Sequence, residues 1–167
     1  TRFSGVSFCP YGADFTDAGL WSAVTRVGWA STDINNLASV RGAPVALKPE
    51  GIFMYNRSLD QWENMYPMWE YDPHPDNGRA IVSLGTDLII SRGRGGCVLF
   101  NGYTVRDISP YLPGSSPNQD TTSQKLSCLG VWQNWIVGVT SVSQSYAGGS
   151  GTKETHGLAG GTLYNQK

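Results

Sequence analysis

The sequence has little charge and no marked excess of either sign. Only 15% of its 167 residues are charged and the formal net charge is −1, whereas charged residues usually make up about a quarter of a protein. So weak an electrostatic field gives no general attraction to nucleic acid or to an anionic membrane. We therefore expect no nucleic-acid partner.

Long apolar runs are also lacking. No stretch of the sequence approaches the ~20 apolar residues that span a bilayer, and no secretory signal peptide is visible. We therefore expect no membrane insertion. The chain begins with Thr1 rather than Met, so we expect a processed product or a piece of a longer polypeptide.

The cysteines are few and widely spaced, at Cys9, Cys97 and Cys128. Such spacing excludes a disulfide framework and leaves room for one disulfide at most. The simpler expectation is three reduced, buried thiols, which favours a chain made in a reducing compartment. Cys97 and Cys128 lie in predicted strands among apolar or small neighbours, so we expect them to pack in the core rather than act as nucleophiles.

Glycine and aromatic residues are plentiful, with 21 Gly, 6 Trp and 8 Tyr. Many glycines and aromatics with few charges are typical of an all-β protein rich in turns. The run Arg92–Gly96, "RGRGG", has the look of a phosphate loop, but an apolar strand follows it where a phosphate loop needs a helix. We interpret it as a turn with two solvated arginines. Asn101-Gly102 predicts a type I′ hairpin directly afterwards.

One short pattern recurs along the chain. "GIFMYN" (Gly51–Asn56) matches "GCVLFN" (Gly96–Asn101) 45 positions later, and "GTLYNQ" (Gly161–Gln166) has the same shape. The strands predicted upstream of these segments are Ile34–Val40 and Pro44–Leu47, then Ala80–Leu84 and Leu88–Ile90, then Leu126–Leu129 and Trp135–Val139. About four short strands per ~45 residues is the pattern of propeller blades.

We therefore predict an all-β fold of antiparallel meander repeats of about 45 residues, forming a partial or oligomer-completed β-propeller. The repeat domain is predicted over residues 33–167, with copies near 33–72, 79–110 and 124–167. Residues 1–32 fit the pattern less well. They are predicted to be a linker or the outer part of a preceding blade, in which Asp14–Val27 forms either a short helix or the outer strands of that blade.

Three polar loops interrupt the repeats: Asp72–Asn77, Pro110–Thr122 and the Gly/Ser-rich insertion Ser141–Gly160. In the first of them, Asp72-x-His74-x-Asp76 offers three metal-ligand types, but its prolines favour a rigid solvated loop. We expect no metal, no cofactor and no catalytic residues. The side chains predicted to contact a partner or a glycan are Trp69, Tyr71, His74, Tyr111, Tyr146, Lys153 and His156.

The segments "INNLASVRGAPVALKPEGIFMYN" (Ile34–Asn56) and "AIVSLGTDLIISRGRGGCVLFNGYTVRDISPYLP" (Ala80–Pro113) resemble propeller blades of bacteriophage virion proteins associated with the tail or capsid. In such blades a Gly-led "GLYxYxG" strand is followed by a closing "xVxDIxP" strand, here Gly96–Gly102 and Thr104–Pro110. The resemblance covers roughly residues 33–167. It implies a structural or adhesive role and supplies no catalytic residues.

From these patterns we expect a non-enzymatic structural protein of a phage or virus particle, located in the virion and assembled in the host cytoplasm. Its partners would be other virion proteins or copies of itself, because an unclosed array leaves sheet edges that invite pairing. The main alternative is a receptor- or carbohydrate-binding module that recognises a host surface glycan through the three loops. A glycan hydrolase is the third hypothesis, and it would need a convergent pair of carboxylates.

Overall fold

A computed structural model describes residues 4–108, 125–132, 135–145 and 152–162. The predicted loop Pro110–Thr122, and with it Tyr111, lies outside the described residues, as does Tyr146. Within the described part, no helix is long and apolar enough to cross a membrane.

The strands form four antiparallel sheets. The N-terminal sheet pairs β1 (Gly5–Val6) with β2 (Thr25–Arg26). The first meander contains β3 (Asn36–Val40), β4 (Ala43–Lys48), β5 (Gly51–Asn56) and β6 (Gln61–Asn64), in that spatial order. The second meander contains β7 (Ile81–Leu84), β8 (Asp87–Ser91), β9 (Cys97–Phe100) and β10 (Val105–Asp107). The C-terminal sheet contains β11 (Lys125–Trp132), β12 (Trp135–Ser145) and β13 (Thr152–Thr162).

The prediction of an all-β fold with antiparallel sheets is confirmed. Helical structure among the described residues is confined to a single 3₁₀ turn, Ala18–Leu20, and one short helix, α1 (Met68–Tyr71). The two matching segments Gly51–Asn56 and Gly96–Asn101 supply the third strand of each meander. Neither the predicted helix nor a full set of outer strands occurs at Asp14–Val27, which holds the 3₁₀ turn and the two-residue strand β2.

The sheets pack together in chain order, and three hydrophobic cores lie between neighbouring sheets. We call the core between the two meanders the central core. Side chains alternate along β4, so Val45 and Leu47 enter the central core while Ala46 packs with Val27 under the N-terminal segment. In β8, Leu88 and Ile90 enter the same central core from the second meander. The outer face of that meander, which carries Ile89 and Cys97, packs against Leu129 of β11. Each meander therefore buries both of its faces.

The type I′ hairpin lies at a different position from the predicted one. Between β3 and β4, Arg41 and Gly42 have φ values of 50° and 75°, as a two-residue I′ turn requires. Asn101 is not among the residues with positive φ, although Gly102 is, at 90°. The Asn101 side-chain oxygen accepts the N–H groups of Tyr103 and Thr104. Because these two hydrogen bonds stabilise the turn, the backbone of Asn101 does not need to adopt the left-handed conformation.

The prediction that Ser141–Gly160 forms an inserted loop is wrong. Most of it belongs to β12 and β13, which pair in continuous register from Trp135↔Thr162 to Ser145↔Thr152. Of the predicted strand Gly161–Gln166, only the first two residues lie in β13, and the others lie outside the described residues. Backbone hydrogen bonds form a strand whatever its side chains are. A polar, Ser- and Gly-rich segment can therefore continue a hairpin whose other end is apolar.

The expectation of three buried thiols is also wrong. None of the three cysteines, all of them among the described residues, forms a disulfide; Cys97 is buried, whereas Cys9 is half-buried and Cys128 is exposed. Cys128 lies on β11, an edge strand of the C-terminal sheet. Leu129, the next residue of β11, is the one that packs against the second meander. Neighbouring side chains point to opposite faces of a strand, so Cys128 points away from that core.

A buried ion pair attaches the N-terminal segment to the first meander. The Lys48 Nζ lies 3.1 Å from the Glu50 Oε1, and both side chains are fully buried. Lys48 also donates hydrogen bonds to the carbonyl oxygens of Val27 and Trp29, each at 2.6 Å. Glu50 accepts the N–H of Trp29 at 2.9 Å and the hydroxyl of Thr32 at 2.8 Å. The four hydrogen bonds join residues 27–32 to the end of β4 and the β4–β5 turn.

Candidate functional site

The segment between the two meanders, residues 65–80, forms one wall of the candidate site, and we call it the connector. After β6, Met65 donates its N–H to the carbonyl of Ile52 at 2.7 Å, and the chain enters helix α1. Trp69 is buried in the central core and meets the ring of Tyr66 edge to face at 5.5 Å. These contacts fix α1 against the first meander, with Met68 left exposed beside them.

The loop Asp72–Asn77 continues this wall, and Asn77 fixes it in place. The Asn77 side chain is 3% exposed. It donates to the carbonyl of Pro49 at 2.8 Å and accepts the N–H of Gly93 at 2.9 Å. One amide group therefore holds together the β4–β5 turn, the connector and the β8–β9 turn.

The "RGRGG" run forms the opposite wall, as the β8–β9 turn. Gly95 and Gly96 have φ values of 98° and 79°, and hydrogen bonds of 3.0 Å join the backbone of Arg92 to both glycines. Strand β9 follows directly, so the prediction of a turn is confirmed. Its arginines, however, are ion-paired as well as solvated. Gly93 is required because a Cβ there would lie 1.9 Å from the His74 Nδ1.

A cleft of about 180 Å³ lies between these two walls. Its lining residues are Tyr66, Met68, Trp69, Asp72, His74, Asn77, Arg92 and Arg94. The connector supplies an aromatic and thioether surface, and the β8–β9 turn supplies two guanidinium groups. The cleft can therefore contact an apolar surface and an anionic group at the same time.

Ion pairs order the charged groups of this cleft. The Arg94 Nε and Nη2 donate to the two carboxylate oxygens of Asp72, each at 2.7 Å. This two-pronged contact lowers the pKa of Asp72, with His74 and Arg92 adding smaller effects in the same direction. The Arg92 Nη1 lies 2.6 Å from the Asp107 Oδ2, and Asp107 is not part of the lining.

The structure brings together only part of the predicted contact set. Trp69 and His74 both line the cleft, whereas Tyr71 is exposed outside the lining. Lys153 and His156 lie on strand β13 rather than in a loop. The sequence did not indicate Asp72, Arg92 and Arg94 as one group. The two arginines lie 20 and 22 residues after Asp72, and only the packing of the meanders brings the three together. The only signal in the sequence for this group was that one predicted loop carries carboxylates and the other carries arginines.

The metal-ligand pattern at Asp72, His74 and Asp76 does not converge. Among the described residues no group of three or more His, Cys, Asp or Glu side chains is placed to hold a metal ion. Asp72 faces Arg94. Asp76 pairs with Arg79 at 2.9 Å, and its N–H donates to the His74 Nδ1 at 3.1 Å.

A second surface feature lies at the N-terminal end of the sheet stack. Six large apolar side chains are exposed there, and we call them the N-terminal apolar surface: Tyr11, Phe15, Leu20, Trp21, Val24 and Trp29. The Trp21 Nε1 donates to the carbonyl of Phe15 at 2.9 Å. Asp14 accepts the N–H and the hydroxyl of Thr16, which lowers the pKa of Asp14, and Asp17 caps the 3₁₀ turn.

Comparisons of the chain with models of protein families, with curated proteins and with solved structures give no match.

Proposed function

We propose that this chain is a non-enzymatic structural protein of a phage or virus particle that binds neighbouring protein subunits. The observation that carries the proposal is the N-terminal apolar surface, where Phe15 and Val24 are 73% and 72% exposed. Several large apolar side chains exposed within one short segment are typical of a protein–protein contact.

The stacking of the sheets supports a blade-like architecture for the same role. Successive sheets of a propeller pack face to face, and both meanders here bury both faces. The Arg41 Nε donates to the carbonyl of Asn101 at 2.8 Å and its guanidinium lies 5.1 Å from the Tyr103 ring centre. The β3–β4 hairpin thus contacts the β9–β10 turn of the next sheet. We interpret the stack as a partial propeller that copies of itself or other chains complete.

Sheet edges offer a second route to the same partners. Strands β3 and β6 lie at the edges of the first meander. An edge strand carries N–H and C=O groups that can pair with another chain. The assignment to a virus particle rests on the resemblance of Ile34–Asn56 and Ala80–Pro113 to virion propeller blades.

Sedimentation of the isolated chain tests the proposal. We expect the wild-type chain to sediment as an assembly at micromolar concentration, and the double variant Phe15→Ser/Val24→Ser to sediment as a smaller species. Leu59→Ser is the matched control, since Leu59 is 59% exposed but lies outside the N-terminal apolar surface. A compact wild-type monomer, or equal dissociation by Leu59→Ser, would contradict the proposal.

Carbohydrate binding is the second candidate function, and the cleft favours it. Aromatic side chains beside Asp, Asn and Arg groups can contact both the C–H face and the hydroxyls of a sugar. A glycan array would separate the two candidates. Reproducible sugar binding that is lost on substitution of cleft residues would support this second function.

A further inference from the structure

The cleft between the connector and the β8–β9 turn has two chemically different walls. Tyr66, Met68 and Trp69 form one wall, and the guanidinium groups of Arg92 and Arg94 belong to the other. Its volume of about 180 Å³ is below the roughly 300–1,000 Å³ of sites for drug-sized ligands. An occupant would therefore be a single small ring or a group of similar size.

The lining carries charges of both signs, and Asp107 pairs with Arg92 from outside the lining. Two guanidinium groups and one carboxylate, that of Asp72, face the cleft. Asp72 is held by Arg94, and this contact lowers the pKa of Asp72. An anionic ligand would be attracted by the arginines and repelled by Asp72, so the two kinds of group should have opposite effects on its affinity.

The walls are held in place before any ligand arrives. The buried Asn77 joins the connector to the β8–β9 turn through Pro49 and Gly93, and the His74 ring packs on the backbone of Gly93. Arg92 is further positioned by its ion pair with Asp107. Such preorganisation reduces the entropy cost of binding.

We propose that this cleft binds an acidic sugar unit, a pyranose ring that carries a carboxylate. The carboxylate lies on the side of Arg92, and the apolar face of the ring contacts Tyr66 and Met68. The inference rests on the second candidate function, carbohydrate binding, and names its ligand class. It is independent of the assembly role.

The test is a calorimetric titration of the full chain with the methyl glycosides of glucuronic acid and of glucose, which differ at the carboxylate. We expect the glucuronide to bind about tenfold more tightly than the glucoside, as one charge-assisted contact would give. Arg92→Gln should remove that preference. Asp72→Asn should strengthen glucuronide binding several-fold, since it removes the repelling carboxylate. Arg79→Gln is the control, an arginine 63% exposed and outside the lining.

The outcomes separate the inference from the function on which it rests. Equal binding of both glycosides would overturn the acidic ligand and leave saccharide binding in place. Binding of neither would overturn both. Inorganic phosphate that competes as well as the glucuronide would also overturn the inference, because a simple anion makes no use of the apolar wall. Weaker glucuronide binding by a folded Asp72→Asn variant would contradict the inference directly. The expected gain of affinity in this variant cannot be explained by damage to the fold, because damage would weaken binding.

Discussion

Lys48 and Glu50 form an ion pair of 3.1 Å in which both side chains are fully buried. This pair lies where the N-terminal segment meets the first meander. The cost of removing two charges from water is offset here by hydrogen bonds to the backbone of Val27 and Trp29.

Replacing Lys48 with Met should therefore destabilise the protein strongly. The substitution leaves Glu50 buried without its cation, and we expect a loss of about 3–5 kcal/mol in the free energy of unfolding. Urea unfolding followed by tryptophan fluorescence measures this. The pair of Arg79 and Asp76, whose side chains are 63% and 26% exposed, gives the matched control. Arg79→Met should cost less than ~1 kcal/mol. Similar losses in the two variants would show that the buried pair has no special role.

Gly93 should tolerate no side chain while His74 is present. A Cβ at Gly93 would lie 1.9 Å from the imidazole Nδ1, so we expect Gly93→Ala to cost about 1–3 kcal/mol through overpacking. The double variant Gly93→Ala/His74→Ala should recover part of that loss, because the second change removes the ring that clashes. A double-mutant cycle in urea reports this coupling, and strict additivity of the two changes would rule out the contact.

The cysteines should differ sharply in reactivity. Burial, with a smaller contribution from Asp107, raises the pKa of Cys97 to about 12 from an ordinary 9.0. We expect iodoacetamide at pH 8 to modify the exposed Cys128 rapidly and Cys97 only after unfolding. Mass spectrometry of the native and urea-unfolded protein, with Cys128→Ser as control, checks this. Rapid labelling of native Cys97 would contradict the packing of β9.

The same pKa shift gives a direction for stability in alkali. Folded Cys97 keeps its proton in a pH range where the unfolded chain has lost it, because its pKa is raised. Its contribution to stability is therefore complete below about pH 9 and is lost as the pH rises from 9 towards 12. Unfolding measured across this range should show a steeper alkaline loss for the wild type than for Cys97→Ala. Parallel curves would contradict the assignment.

The strands of the two meanders could be predicted from the sequence because local pattern determines them. The apolar runs at Pro44–Leu47 and Leu88–Ile90 became β4 and β8, within one residue at each end. The pairing of Lys48 with the Val27 carbonyl could not be predicted, since it depends on how a distant segment folds back. The β12–β13 hairpin was missed because its backbone pairing leaves little apolar pattern.

The candidate site was predictable only in part for the same reason. Proline and polar residues marked Asp72–Asn77 as a loop, and the structure places His74 of that loop in the cleft. The contact of Asp72 with Arg94 joins the connector to the second meander. No local pattern encodes that contact, because it depends on which faces of the sheets pack together.

Hydrogen–deuterium exchange at low and high protein concentration tests the central claim, that the N-terminal apolar surface binds a neighbouring subunit. We expect exchange across residues 10–29 to slow as the protein assembles, while the core strands β4 and β8 exchange slowly at both concentrations. Unchanged exchange across residues 10–29 in a sample that has assembled would place the contact elsewhere and contradict the claim.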